Sequence, residues 1–200
     1  MKFYFSVLAI TVSVNSSAVY ATSADFEAKV TVQNAVVLTK DTDLSFGIIR
    51  AVADKTGAEQ AKLTVSPNPE STPVSIRENP TSQSAIISII EDGEAASFTV
   101  SDVVPNSLLV ITSPDDGAIE SDDGQGVGEP DFRISDWKFF ITSGENQGNL
   151  YSSTTPNLKA DSDGSVSFSL GATLYTSSNI STVDYPDGDY SGNFQVEVSY

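Results

Sequence analysis

Residues 193–200 read Asn-Phe-Gln-Val-Glu-Val-Ser-Tyr, and their alternation decides the class of fold. Phe194, Val196, Val198 and Tyr200 fall on one face, and Asn193, Gln195, Glu197 and Ser199 on the other. Successive side chains of an extended chain point to opposite sides of a sheet, so a period of two sets one apolar row against a core. The same pattern recurs at residues 165–170 (SVSFSL), with Val166, Phe168 and Leu170 inward. It recurs again at 25–32 (DFEAKVTV), where Phe26, Ala28, Val30 and Val32 share a face. Both ends of the chain beyond its leader therefore read as alternating strands.

Between them lie shorter β-like runs at 35–38, 44–49, 62–65, 85–90, 97–100, 108–112, 132–141 and 173–176. Asp-Gly pairs at 92–93, 116–117, 123–124, 163–164 and 187–188 punctuate the chain, and both residue types tolerate the positive φ that turns require. Pro67, Pro69, Pro73 and Pro80 mark a stretch expected to be extended and weakly structured. Residues 51–61 are the only stretch that reads as a short helix or loop. Residues 113–131, rich in Asp, Glu and Gly, are expected to form the least ordered segment, an acidic loop. Many short strands separated by turn residues predict an all-β, antiparallel sandwich or barrel.

The composition removes most chemistry. The 200 residues contain no His and no Cys, 27 acids against 10 bases, and a net charge of −17. No Ser-His-Asp triad, thiol nucleophile, disulfide, or imidazole or thiolate metal ligand can be built. The negative charge argues against nucleic acid and against anionic lipid, both of which are bound through Lys and Arg.

Residues 1–21 carry Lys2, a largely apolar stretch from Phe3 to Val14, and small residues ending in Val19-Tyr20-Ala21. That order predicts a secretory signal peptide cleaved after Ala21, with Ala18 or Ala24 as alternatives. The apolar stretch is too short for a bilayer, and no later run approaches ~18 apolar residues, so the mature chain is not expected to insert in a membrane. Residues 22–200 then form a single domain, expected to be exported through the periplasm to the cell surface, a fimbrium or the medium.

Acids are abundant, but no pair is marked for catalysis: they lie mostly in turns, where water keeps them ionised, and the expectation is no enzyme activity and no cofactor. Asp115, Asp116, Asp122 and Asp123, with Glu120 between them, are weak Ca²⁺ candidates, against the simpler account of a hydrophilic turn. The EF-hand pattern is not met: after Asp161 and Asp163 the glycine comes too early and no Glu follows at the required spacing. Trp137, with Phe139 on its face of a strand and Phe140 opposite, offers a sugar-binding platform, against core packing as the alternative.

The terminal strands carry the stronger suggestion. A strand without a neighbour is a sticky edge, and one solution is to pair with another chain through main-chain hydrogen bonds and alternating side chains. Residues 26–32 either do this or form the first strand of their own domain; periodicity leaves both open.

Four segments, in order, carry a resemblance. They are Asp43-Leu-Ser-Phe-Gly47; Ala96-Ser-Phe-Thr-Val100; Ser165-Val-Ser-Phe-Ser-Leu-Gly-Ala-Thr-Leu174; and Gly188-Asp-Tyr-Ser-Gly-Asn-Phe-Gln-Val-Glu-Val-Ser-Tyr200. Together they resemble a secreted bacterial family, domain-of-unknown-function family 4402, over nearly all of the mature chain. Its domains are similar to pilins of the chaperone–usher type, which implies an Ig-like β-sandwich with alternating N- and C-terminal strands. In such pilins a Gly lies about a dozen residues before a near-terminal Tyr; Gly188 and Tyr200 fit, although this Tyr is last rather than penultimate. The resemblance implies that Phe194, Val196, Val198 and Tyr200 contact a periplasmic chaperone, with an usher beyond it. It also implies that Phe26, Ala28, Val30 and Val32, within residues 22–34, form a donor strand for other copies or related subunits. The absence of Cys departs from many such pilins. The expected function is a non-enzymatic fimbrial or pilin-type subunit assembled by strand addition and involved in surface adhesion; the alternative is a self-contained secreted glycan-binding adhesin.

Overall fold

A computed structural model of the chain describes residues 27–30, 32, 35–71, 74–124, 126–181 and 183–200. The chain divides into two compact units, Met1–Val32 and Gln33–Tyr200. In the first, residues 27–30 and 32 lie outside any strand and are exposed. The expected signal peptide at 1–21 and Phe26 lie outside the described residues.

In the second unit the described residues form thirteen strands and no helix. In chain order these are β1 (Val37–Thr42), β2 (Ile48–Val52), β3 (Lys62–Val65), β4 (Ser75–Glu78), β5 (Ile86–Glu91), β6 (Ala96–Ser101), β7 (Leu108–Thr112), β8 (Gly117–Ser121), β9 (Phe132–Ile141), β10 (Leu158–Lys159), β11 (Val166–Thr176), β12 (Tyr190–Ser191) and β13 (Glu197–Ser199). Every ladder is antiparallel. The large sheet runs β1-β6-β11-β9-β8-β12, with β3 on β11 and β4 on β3; a second sheet runs β10-β7-β13, and β2 pairs with β5.

Residues 37–52 and 86–101 act as two long bent strands. β1 pairs with β6 and β2 with β5, and an isolated Ser45–Glu94 bridge joins the two ladders. The bend needs glycine: Gly47 has φ of 75°, and a Cβ there would meet the Glu91 carbonyl.

The two sheets face each other across a common core, as in a β-sandwich. Val100, Ile141, Val166 and Phe168 of the large sheet pack in one cluster with Leu109 and Leu158 of the second sheet. Phe168 is fully buried, stacked on Phe98 at 5.2 Å and edge-on to Phe139 at 5.9 Å. A second cluster gathers Leu63, Ile87, Ile119, Phe132, Ile134 and Leu174.

β11 is the spine. The runs at 165–170 and 173–176 merge into one strand, joined through Gly171. Glycine stands there because the chain of residues 65–67 crosses close by: a Cβ would meet the Val65 carbonyl, and would lie 2.8 Å from the Ser66 carbonyl carbon. Ser169 Oγ donates to the Pro67 carbonyl in the same crossing. The Leu170–Leu174 segment is thus buried on both faces for a local steric reason.

Two segments hold strands where alternation was not seen. β4 lies in the Pro-marked stretch, paired to β3 from Val65–Ser75 to Lys62–Glu78; only Ser75 is buried, so no apolar row announces it. β8 lies inside 113–131, its Ile119 buried in the second cluster and its backbone paired with β9 and β12. In 51–61, β2 reaches Val52, and the loop beyond is organised by Asp54. Its Oδ1 accepts from the Thr56 backbone N–H (2.8 Å) and the Thr56 hydroxyl (2.9 Å), and its Oδ2 from the Glu59 N–H (3.2 Å).

Candidate functional site

The C-terminal row of alternating residues sits at the edge of the second sheet. β13 pairs only with β7 among the described residues, through Glu197–Thr112, Val198–Ile111 and Ser199–Val110. Val196 and Val198 are half-buried against the first core cluster. Phe194 is half-buried against the second, its ring tilted on Trp137 at 5.1 Å. Tyr200 is 47% exposed, and its hydroxyl accepts the Val104 N–H at 3.0 Å. Three members of the row are therefore half-buried and the last is exposed, and among the described residues no strand pairs with β13 on the side away from β7.

β1 is one edge of the large sheet, which also ends at β12 and at β4: among the described residues it pairs only with β6. Val36 and Leu38 are half-buried against the same cluster as Val196 and Val198. Leu44, Phe46 and Ile49 are half-buried against the cluster that receives Phe194. Two edge strands, one from each sheet, thus flank the same core with incompletely covered apolar side chains.

The N-terminal row belongs to the first unit, and Phe26 lies outside the described residues. Ala28 is exposed, Val30 is 85% exposed and Val32 74%. Isolated surface valines are common, but here they repeat at every second position of one short segment.

Trp137 packs between the two clusters on Phe194, and its indole N–H is buried with no hydrogen-bond partner among the described residues. Asp115 and Asp123 are exposed. Asp116 lies 3.8 Å from the Arg133 guanidinium, and Asp122 accepts the Ser191 hydroxyl at 2.5 Å. Among the described residues no group of three or more acids is placed to hold a metal ion.

The aromatic end of the second cluster was not picked out by alternation. Tyr185 stacks on Phe132 at 4.2 Å, and Tyr190 meets the same ring edge-on at 5.1 Å. The Tyr185 hydroxyl accepts the Ser177 N–H (2.8 Å) and donates to the Asp131 carbonyl (3.0 Å). Burial holds its pKa well above the ordinary tyrosine value. The only sequence sign of this pair is its place on either side of Asp187-Gly188.

A family described as "Domain of unknown function (DUF4402)" matches residues 36–200. No curated protein and no solved structure matches the chain.

Proposed function

We propose that this chain, which belongs to the DUF4402 family, is an exported, non-enzymatic subunit of an Ig-like, pilin-type fibre, joined to its neighbours by strand addition. The observation that carries the proposal is the pair of open edges, β13 and β1, over one shared core. An extended segment laid along β13 would supply the missing main-chain partners and cover Val36, Leu38, Val196 and Val198. The occupant is residues 26–32 of a second copy. Its row Phe26, Ala28, Val30 and Val32 has the alternation such a seat demands, and its described members are exposed in their own chain.

Covering four apolar side chains removes ~400 Å² of apolar surface from water, worth ~10 kcal/mol before ordering costs. A contact of that size dissociates slowly, as a fibre joint must. A free copy would leave the same edge sticky, which is the task of a periplasmic chaperone binding the Phe194–Tyr200 row. No nucleophile or cofactor is needed.

The test is the assembly state. The mature chain should form head-to-tail oligomers in size-exclusion light scattering, and Val30→Asp with Val32→Asp should leave folded monomers. A stable monomer of the unsubstituted chain, or unaltered oligomers in the variant, would refute the proposal. Genes for a periplasmic chaperone and an outer-membrane usher beside this one would accord with it.

A further inference from the structure

The outer face of the large sheet carries a second feature, on strands other than β1 and β13. β9 bulges where it passes β11: the register shifts between Gly171–Lys138 and Thr173–Ser135, and Asp136 takes φ of 57°. Left-handed backbone at a non-glycine costs energy and collects at sites of use, although Asp adopts it more readily than most residues. The bulge turns the Asp136 carboxylate toward Tyr175, whose hydroxyl donates to it. On β3, the Lys62 ammonium lies over the Tyr175 ring, 5.3 Å from its centre. Thr64 and Thr173 share a hydroxyl hydrogen bond of 2.9 Å beside them. Glu78 of β4 stands opposite Lys62 in the ladder, and Lys138 opposite Gly171. These side chains line an open cleft of about 530 Å³.

The charges in the cleft balance in number but are not joined in direct ion pairs. Lys62, Lys138, Glu78 and Asp136 are two cations and two anions on adjoining strands, yet the ion pairs among the described residues involve none of them. Charged donors and acceptors are left with spare capacity around an aromatic ring and two hydroxyls.

That inventory selects the ligand. An apolar ligand would strand the charges. A cation would find only two carboxylates, fewer than a hard metal takes. An anion would meet Asp136 and Glu78 beside Lys62 and Lys138 at close range, and the −17 of the whole chain at long range. A neutral pyranose fits: its adjacent hydroxyls can donate to carboxylates and accept from ammonium groups, and its C–H face can lie on a phenol ring.

We propose that the cleft formed by Lys62, Glu78, Asp136, Lys138 and Tyr175 binds a neutral sugar residue of a glycan. The site is on β3, β4, β9 and β11 and leaves β13 untouched, so it stands or falls separately from strand addition.

The test is saturation-transfer NMR of the mature chain with four methyl glycosides: mannoside, galactoside, N-acetylglucosaminide and, as the anionic control, a sialoside. At least one neutral glycoside should give ring-proton signals with millimolar affinity, the range expected of a single sugar in an open cleft. Asp136→Asn keeps a residue type that tolerates the left-handed backbone, and it should weaken binding at least ~10-fold, the loss expected for a charge-assisted hydrogen bond. Tyr175→Ala should do the same, with melting curves confirming that both variants fold. No signal from any neutral glycoside to ~20 mM, signal from the sialoside alone, or binding unchanged in folded Asp136→Asn would each overturn the proposal.

Discussion

Phe194→Ala tests whether the C-terminal segment is held by the core of its own chain. The Phe194 ring lies on Trp137 and is half-buried in the second cluster. Truncating a fully buried Phe costs about 3–5 kcal/mol, so a half-buried one costs about half that, plus ~0.5–1 kcal/mol for the lost ring contact. The expected loss is therefore about 2–3.5 kcal/mol, or ~4–14 °C in Tm for a domain of this size. Gly117 supplies an internal control. A Cβ there would lie 2.9 Å from Phe194 Cε1, so Gly117→Ala should destabilise the unsubstituted chain by crowding the ring. In the Phe194→Ala background that crowding is gone, and Gly117→Ala should cost ~1 kcal/mol less. Urea unfolding of the four proteins, with m unchanged, gives the coupling directly. A Phe194→Ala loss below ~0.5 kcal/mol, or additive effects, would mean that the segment is not seated as described.

Two further outcomes are expected. Asp54 is buried, and hydrogen bonds, first from the Thr56 N–H, hold its carboxyl below the usual value of 3.8. A lowered folded pKa gives stability that is present above the unfolded value and lost as pH falls through the folded one. Asp54→Asn should therefore lower Tm at pH 7 and flatten the fall in Tm below about pH 4, as calorimetry would show. Tyr185→Phe keeps the stack on Phe132 but leaves the Ser177 N–H unsatisfied, costing about 1–2 kcal/mol. Because the folded Tyr185 pKa is raised, its contribution is present below about pH 10 and lost above it. Alkaline destabilisation should accordingly be weaker in Tyr185→Phe; an unchanged profile would place the titration elsewhere.

The strands legible in the sequence were those with one wet face and one dry face. β3 and β7 coincide with the short β-like runs expected there, and β9 spans 132–141 as expected despite its bulge. β4 escaped because its sheet position depends on pairing with β3, while three of its four residues are exposed. β8 escaped because charge and glycine outweighed a single buried Ile119. At 193–200 the apolar row extends beyond the ladder: only Glu197–Ser199 form the strand, yet Phe194 and Val196 still pack inward. Of the sugar cleft, only Trp137, which lines it, was singled out in the sequence. Alternation gives the outward parity of Lys62, Lys138 and Tyr175, but only the strand order β4-β3-β11-β9 brings them together. Nor does the sequence show that Asp136 adopts a bulge conformation.

The most direct measurement of strand addition uses the absence of Cys. One chain carries a single cysteine at Lys29, on the outer face of the N-terminal row, and a second carries one at Glu197 or Ser199, on the outer face of β13. The two are mixed and oxidised. Paired neighbouring strands bring Cα atoms within the 4.4–6.8 Å that a disulfide needs. A covalent dimer between the two different chains, absent when Val30 and Val32 are also replaced by Asp, is the predicted result. If the bond forms only when both cysteines are placed in one chain, and only within that chain, residues 26–32 fill their own groove and the account of a strand-exchanging fibre subunit is contradicted.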